Sequence, residues 1–271
     1  MKYTADIDQK AILKLQQRVE RCPLPDDHIY HEIMDRLLAR LELIRINPVT
    51  ILNVGWHPER AAAQLQNHYP TAKITNIPDF SAIKRCESES FDLVIAHFSL
   101  LTESEPLYLL REFSRVLSFE GLLLFTSLGP DTFLELRHSF SSVDHQVHVH
   151  PFIDMHDVGD WIRALHFDNP VMDREVITLA YDELDLFFED LKTVGATNVH
   201  PARARGLMSR NKWRDMLSHY AKFKTDDYFP ATLEVVYGHG WKIKSTEDDS
   251  QQGQEIAISI DKIKITSLKV T

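Results

Sequence analysis

The sequence predicts an α/β protein built on a doubly wound, mainly parallel sheet. Three short apolar runs are typical of strands buried on both faces, and they lie at 51–54, 91–97 and 122–126. Stretches of helix-forming residues follow these runs after turns, the first of which contains Gly55 and Pro58. Strand–helix–strand units with short turns wind right-handed, so one sheet of this class accounts for most of the chain.

The amino-acid composition and net charge exclude several kinds of protein and binding partner. The chain has 271 residues, of which 44% are hydrophobic and 26% are charged, as in ordinary soluble globular proteins. The net charge of −10 argues against general binding to nucleic acid or to an anionic membrane surface. No apolar run approaches the ~20 residues of a membrane span. Cys22 and Cys86 have no disulfide or metal spacing, which fits a reducing compartment, so we expect a cytoplasmic protein.

Two helices are predicted before the first strand. They cover residues 7–21 and 28–45 and are separated by Pro23 and Pro25, which cannot continue a helix. Apolar residues recur at helical spacing in the second helix, and we interpret this face as packing against the sheet.

The strand, turn and helix from residue 50 to residue 65 form the unit that holds a nucleotide-like ligand in doubly wound sheets. Such a turn normally contains several glycines, because each one lets the ligand approach the backbone. Here Gly55 is followed by Trp56, His57 and, two residues later, Glu59. The sequence therefore clearly predicts the strand–turn–helix topology, but the turn lacks the glycines that are typical of ligand binding.

The second strand is predicted at 72–77, and Asp79 follows it. A carboxylate at this place offers paired acceptors for the hydroxyls of a ribose. An aspartate after Pro78 is also a common turn residue, so both interpretations stay open. The segment up to the strand at 91–97 is too short for a helix and another parallel strand, so we expect the third, edge strand to be reduced or missing.

The second half of the chain continues with helices and strands. Helices are predicted at 104–117, 133–137 and 154–166, two more within 182–226, and strands at 170–180, 232–237 and, in the tail, 256–265. The histidines between Asp144 and His150 have no partner pattern for a metal, so we interpret them as loop or cap residues and predict no metal site.

A basic block lies at 203–224 in this acidic chain. Its cationic residues are Arg203, Arg205, Arg210, Lys212, Arg214, Lys222 and Lys224, with Asp215 among them. Such a block is either a solvated helix face or a landing surface for an acidic partner.

Several segments resemble one family. Residues 91–100, 117–125, 127–137, 151–160, 194–201, 205–208 and 230–239 are similar to the malonyl-acyl carrier protein O-methyltransferases of biotin synthesis, the BioC-like proteins. The resemblance extends from about residue 29 to residue 242 and is most specific in the carboxy-terminal half.

This resemblance implies a Rossmann-like class I methyltransferase fold, S-adenosylmethionine (SAM) as cofactor and malonylated acyl carrier protein as partner. It divides the chain into amino-terminal helices at 1–48, a methyltransferase domain at 49–244, and a linker with an extra β tail at 245–271. Helical cap insertions are expected within the domain, at about 130–153 and 181–229.

By the same resemblance, the cofactor-binding residues are Asn53, Gly55, Asp79 and His97. All departures from the family pattern fall on this side of the site. Asn53, Gly55, His57 and Glu59 stand in place of the glycine-rich motif, and the Pro-rich break at 22–25 replaces a Tyr-containing segment that closes over SAM in the family. SAM binding is therefore expected either to be weak or to be lost.

Methyl transfer to a free carboxylate requires positioning rather than a general base, because carboxylates titrate near ~4 and are ionised at neutral pH. An arginine can fork the two carboxylate oxygens. Arg137 is the first candidate, as the catalytic and substrate-binding residue, and Arg203 and Arg205 are the next substrate-binding candidates. The alternative for Arg137 is an ion pair with Glu135 or Asp131. By the same resemblance, the basic block is expected to face the acidic carrier protein.

Two functions stay open at this point. The first is a BioC-like methyltransferase with an unusual SAM site. The second is a catalytically inactive relative that keeps the cap and the carrier-protein surface and acts as a binding, regulatory or assembly protein.

Overall fold

The computed structural model describes residues 8, 10–12, 14–15, 24–78, 80–101, 105–193, 196, 198–204, 206–225 and 227–244, and all structural statements concern these residues. The predictions made for Asp79, Arg205 and the tail at 245–271 lie outside the described residues, as does most of the first predicted helix.

The strands are β1 (Thr50–Val54), β2 (Lys73–Ile77), β3 (Phe91–His97), β4 (Leu117–Leu128), β5 (Phe167–Tyr181) and β6 (Phe229–Lys242). The α-helices are α1 (Ile29–Ala39), α2 (Pro58–His68), α3 (Pro106–Val116), α4 (Leu134–Ser141), α5 (Met155–Ala164), α6 (Leu184–Thr193) and α7 (Arg210–Tyr220). Short 3-10 helices cover Arg40–Leu43, Phe80–Arg85, Ser99–Leu101 and Ala221–Phe223.

The six described strands form one sheet in the order β2-β1-β3-β4-β6-β5. The pairs among β2, β1, β3 and β4 are parallel, whereas β6 runs antiparallel to both β4 and β5. The α/β doubly wound prediction is confirmed. Between β2 and β3 the described residues contain only the 3-10 helix Phe80–Arg85, so the edge strand that was predicted to be missing is absent from this link.

The sheet lies between two apolar layers, as the alternation of side chains along its central strands requires. Ile51, Leu93 and Leu124 face the layer that contains α1, α4 and α7, and all three are fully buried. Leu52 and Val94 face the other layer, which contains α3 and α5. Each such side chain contributes ~1.5–3 kcal/mol by burial, so these layers hold the carboxyl ends of β1, β3 and β4 in fixed positions.

Element bounds differ from the sequence predictions mainly at the ends. The helix predicted at 28–45 consists of α1 and the 3-10 helix Arg40–Leu43. The strand predicted at 122–126 is longer in the structure, where β4 covers Leu117–Leu128. The prediction at 170–180 corresponds to β5. Of the cap insertions, α4, α6 and α7 all contribute side chains to the layer that contains α1. No described helix is long and apolar enough to cross a membrane.

Candidate functional site

The turn after β1 is shaped by two of the predicted cofactor residues. Gly55 has a φ of +154°, and a Cβ atom there would lie 2.9 Å from the carbonyl oxygen of His97, so only glycine fits. Asn53 is 1% exposed, and its Nδ2 donates to the carbonyl oxygen of Pro58 and to Oδ1 of Asn76, each at 2.9 Å. Asn53 therefore fixes the turn through its amide hydrogens.

His97 ends β3 and is buried beside this turn. Its Nε2 lies 3.1 Å from the carbonyl oxygen of Tyr30, and its Nδ1 lies 2.7 Å from Oγ1 of Thr126. A carbonyl oxygen only accepts, so Nε2 carries the proton and Nδ1 accepts from the threonine hydroxyl. Burial lowers the pKa of His97 to about 3. The ring is thus neutral at physiological pH, and both of its nitrogens already have protein partners.

Tyr30, near the start of α1, covers the Gly55 turn. Its ring centroid is 4.3 Å from that of His97, and its hydroxyl donates to the carbonyl oxygen of Trp56. The same hydroxyl lies 3.6 Å from the position that a Cβ of Gly55 would occupy. The side chain over the turn is therefore Tyr30, from the helix predicted at 28–45, whose apolar face was interpreted only as packing against the sheet.

A mainly apolar cavity of about 170 Å³ lies next to this turn. Its walls come from α1, from the segment after β3, from the end of β4 and from the cap helices, and they include Ile33, Phe98, Leu128, Phe133 and Phe187. A cavity of ~150 Å³ with walls of this kind holds a ligand as large as benzene. Its position at the carboxyl ends of parallel strands is where doubly wound sheets bind ligands.

Three buried side-chain nitrogens on the cavity wall have no hydrogen-bond partner in the described part of the chain: Nε2 of His28, Nε1 of Trp56 and Nδ1 of His150. His28 caps α1, and its Nδ1 accepts from the backbone N–H of Tyr30 at 3.0 Å. Burial lowers the pKa of His28. Burial, then His200 and Arg137, lower the pKa of His150 to about 4. Both imidazoles are therefore neutral at physiological pH.

Arg137 lies on α4 and is not among the residues that line the cavity. Its Nη2 is 3.3 Å from the carbonyl oxygens of both Pro130 and Thr132, and its burial lowers the pKa of the guanidinium. Among the described residues, no carboxylate lies within ion-pair distance of it. The alternative prediction was that Arg137 pairs with Glu135 or Asp131. Pairing with Glu135 is wrong, because the Glu135 carboxylate accepts from the backbone N–H and hydroxyl of Thr232, at 3.1 and 2.6 Å. Asp131 is near enough to act on the pKa of Arg137, which it raises against the effect of burial.

The other predicted cations are partly engaged within the protein. Nη2 of Arg203 lies 2.9 Å from Oδ2 of Asp8, and Nζ of Lys212 lies 2.7 Å from Oδ2 of Asp144. Arg210 and Arg214 are exposed on α7. Lys222 and Lys224 are exposed just after it. In the described part of the chain, no group of three or more His, Cys, Asp or Glu side chains is arranged to hold a metal ion.

A malonyl-[acyl-carrier protein] O-methyltransferase of Coxiella burnetii is 36% identical to this chain over 274 residues, which cover 95% of the chain and 96% of that protein. The chain belongs to this family. Relatives with the same name in Laribacter hongkongensis and Legionella pneumophila are 37% and 33% identical. They are matched over 79% and 87% of this chain and over 82% and 90% of their own lengths. No protein-family model matches the chain.

Among solved structures, a methyltransferase candidate from Bacillus halodurans has a TM-score of 0.51 and 13% identity, covering 78% of this chain and 99% of that one. This likeness agrees with the class I methyltransferase fold that the strand order shows.

The backbone around Gly55 fits the methyl donor of such a family. The glycine leaves the turn without a side chain, and α2 begins at Pro58, where the N-cap residue His57 makes no side-chain hydrogen bond to the helix. The side chain of Tyr30 covers this turn, with its hydroxyl next to Gly55 and its ring against His97. Any ligand at this turn would have to displace the Tyr30 side chain.

Proposed function

We propose that the protein transfers the methyl group of SAM to the free carboxylate of malonyl-acyl carrier protein, as a step in the synthesis of a biotin precursor in the cytoplasm. The observation that carries this proposal is the agreement over 95% of the chain with a relative named for the reaction. The cavity beside the Gly55 turn supports it, because an acceptor group there would lie next to the donor.

The chain needs no general base for this reaction. SAM, when bound, supplies a methyl group that a nucleophile attacks in line, and the malonyl carboxylate is already ionised at neutral pH. The protein therefore positions the two groups and excludes water. Gly55 and Asn53 shape the donor turn, His97 holds the segment that contains Tyr30, and Asp79 is the proposed partner of the ribose hydroxyls.

Arg137 is the proposed partner of the malonyl carboxylate. It is a half-buried cation with backbone carbonyls as hydrogen-bond partners, and its neighbours on α4 and in the preceding turn, Leu136 and Phe133, line the cavity. The positive charge of Arg137 acts on the cavity wall, since it helps to lower the pKa of His150, one of the residues that line the cavity. Arg203 and Arg205 remain second candidates, although Arg203 is already paired with Asp8.

The basic block from Arg203 to Lys224 is the proposed landing surface for the carrier protein, which is acidic by the family resemblance. Arg210 and Arg214 lie exposed on α7, so an acidic partner meets them first. Complementary charge of this kind steers association and falls with ionic strength. We propose no role for nucleic acid or a membrane.

The test is a transfer assay with the full chain, SAM labelled in its methyl group, and malonyl-acyl carrier protein. Acetyl-acyl carrier protein is the matched control, because it lacks the free carboxylate. We expect label as a methyl ester on the malonyl form alone. Absence of label together with absence of heat in calorimetry at millimolar SAM would mean that the donor site is lost and that the chain is an inactive relative.

A further inference from the structure

Two side chains on the cavity wall present N–H donors of known identity. The indole Nε1 of Trp56 is always a donor. His28 accepts through Nδ1 from the N–H of Tyr30 at 3.0 Å, so the proton of its neutral ring sits on Nε2. Both donor atoms are buried and have no acceptor in the described part of the chain.

Buried donors without acceptors are rare, because each one loses its hydrogen bonds to water without replacement. Both residues line the same cavity, and the rest of that cavity is mainly apolar. Oxygen acceptors of a molecule inside the cavity would satisfy these donors. The cavity thus offers two donors for oxygen in an otherwise apolar setting.

The charges around this position determine whether a neutral or an anionic oxygen is stabilised there. Both donors are uncharged, and Asp190, which also lines the cavity, is near enough to act on His28. Asp190 accepts a hydrogen bond from the hydroxyl of Tyr181 at 3.0 Å and is one of the residues that line the cavity. An ionised carboxylate placed between neutral donors and near Asp190 would be poorly stabilised. A neutral carbonyl oxygen loses far less on entering such a site.

We infer that His28 and Trp56 bind the thioester carbonyl oxygen of the acyl substrate through Nε2–H and Nε1–H. The inference rests on the proposed function, in which the acceptor is a malonyl thioester. The substrate is then held at two points, its carboxylate by Arg137 and its carbonyl by the two neutral donors. Trp56 directly follows Gly55, so this contact fixes the acyl group beside the donor turn. His28 and Trp56 act as positioning residues that favour a thioester over free malonate.

The test compares two ligands that differ in the carbonyl. Malonyl-pantetheine has it, and S-(2-carboxyethyl)pantetheine, a thioether, lacks it. Trp56→Phe keeps an aromatic ring and removes the N–H, so we expect about tenfold weaker binding of malonyl-pantetheine and no change for the thioether. Trp161→Phe, on α5 in the other apolar layer, is the control and should change neither. Equal weakening of both ligands, or of neither, overturns the inference.

His28→Asn gives a second variant, because asparagine caps a helix as well as histidine does here but cannot reach the Nε2 position. It should show the same selective loss. An independent measurement is the indole N–H resonance of Trp56, assigned by its absence in Trp56→Phe. Malonyl-pantetheine should shift it downfield, whereas the other three indole signals report that the fold is intact. No shift at saturation contradicts the inference.

These measurements need no methyl donor, so they separate this inference from the proposed reaction. Binding with a Trp56 shift but no methyl transfer would overturn the reaction alone. Methyl transfer with unchanged kinetics in Trp56→Phe would overturn the carbonyl contact alone. Failure of wild-type protein to bind malonyl-pantetheine at millimolar concentration would overturn both.

Discussion

The backbone carbonyl oxygen of Tyr30 accepts a hydrogen bond from Nε2 of His97 across 3.1 Å, and the two rings meet edge to face with centroids 4.3 Å apart. This contact joins the start of α1 to the carboxyl end of β3. It places the tyrosine hydroxyl against the turn at Gly55. In the proposed function, the methyl donor therefore competes with a side chain of the protein itself.

Replacement of Tyr30 by Ala should strengthen SAM binding. The wild-type protein must first move a buried aromatic ring, whose burial is worth ~1.5–3 kcal/mol, so we expect a Kd lower by about 10- to 100-fold. Isothermal calorimetry measures this. Tyr30→Phe keeps the ring and should stay close to wild type. Equal affinities for all three proteins would show that Tyr30 does not compete with the donor.

The fold was predictable because its determinants are local. The apolar runs of β1, β3 and β4 identify strands buried on both faces, and Gly55 and Pro58 mark the turn between β1 and α2. The missing edge strand followed from chain length alone, since the link between β2 and β3 has no room for it.

The site was less predictable because its contacts join residues distant in sequence. His28 and Tyr30 look like ordinary residues at the start of a helix, and no periodicity relates them to Trp56 or His97. Family motifs drew attention to Arg137, but they could not show that its first partners are the carbonyls of Pro130 and Thr132. One local sign was available: a tryptophan directly after the glycine of a ligand-binding turn needs an acceptor when buried.

Arg137→Gln should impair recognition of the malonyl carboxylate. A hydrogen bond to a charged group contributes ~1.5–3 kcal/mol, so kcat/KM for malonyl-acyl carrier protein should fall by about 10- to 100-fold while SAM affinity stays constant. Arg137→Lys should be intermediate, because an ammonium cannot fork two oxygens. Arg163→Gln, exposed on α5, is the matched control. Wild-type kinetics in Arg137→Gln would remove this residue from the site.

Charge reversal on α7 tests the landing surface. Arg210→Glu and Arg214→Glu should each lower kcat/KM for malonyl-acyl carrier protein by about 3- to 10-fold at low salt, with a smaller effect at high salt. Malonyl-pantetheine, which has no carrier protein, should be used equally well by both variants. Lys73→Glu carries the same change at the amino end of β2, at the opposite end of the sheet, and should have no effect. A loss as large in Lys73→Glu would indicate a general charge effect.

Acid should destabilise the protein well above the range where carboxylates titrate. Burial lowers the pKa of His97 to about 3, and burial together with the nearby His200 and Arg137 lowers that of His150 to about 4, against an ordinary value near 6.5. Between pH 6.5 and about 4 these two histidines are protonated in the unfolded chain but stay neutral in the folded chain. The free energy of unfolding therefore falls as pH falls, by ~1.4 kcal/mol per pH unit for each histidine, and is fully restored above pH 6.5.

Urea unfolding at several pH values between 7.5 and 5 measures this slope. His97→Gln removes one of these protons, so its slope should be shallower even though the variant is less stable at every pH. His145→Gln, exposed in the cap, should leave the slope unchanged. If His97→Gln keeps the full slope, His97 is protonated in the folded protein, and its hydrogen bond to the Tyr30 carbonyl would then join a cation to the segment that covers Gly55.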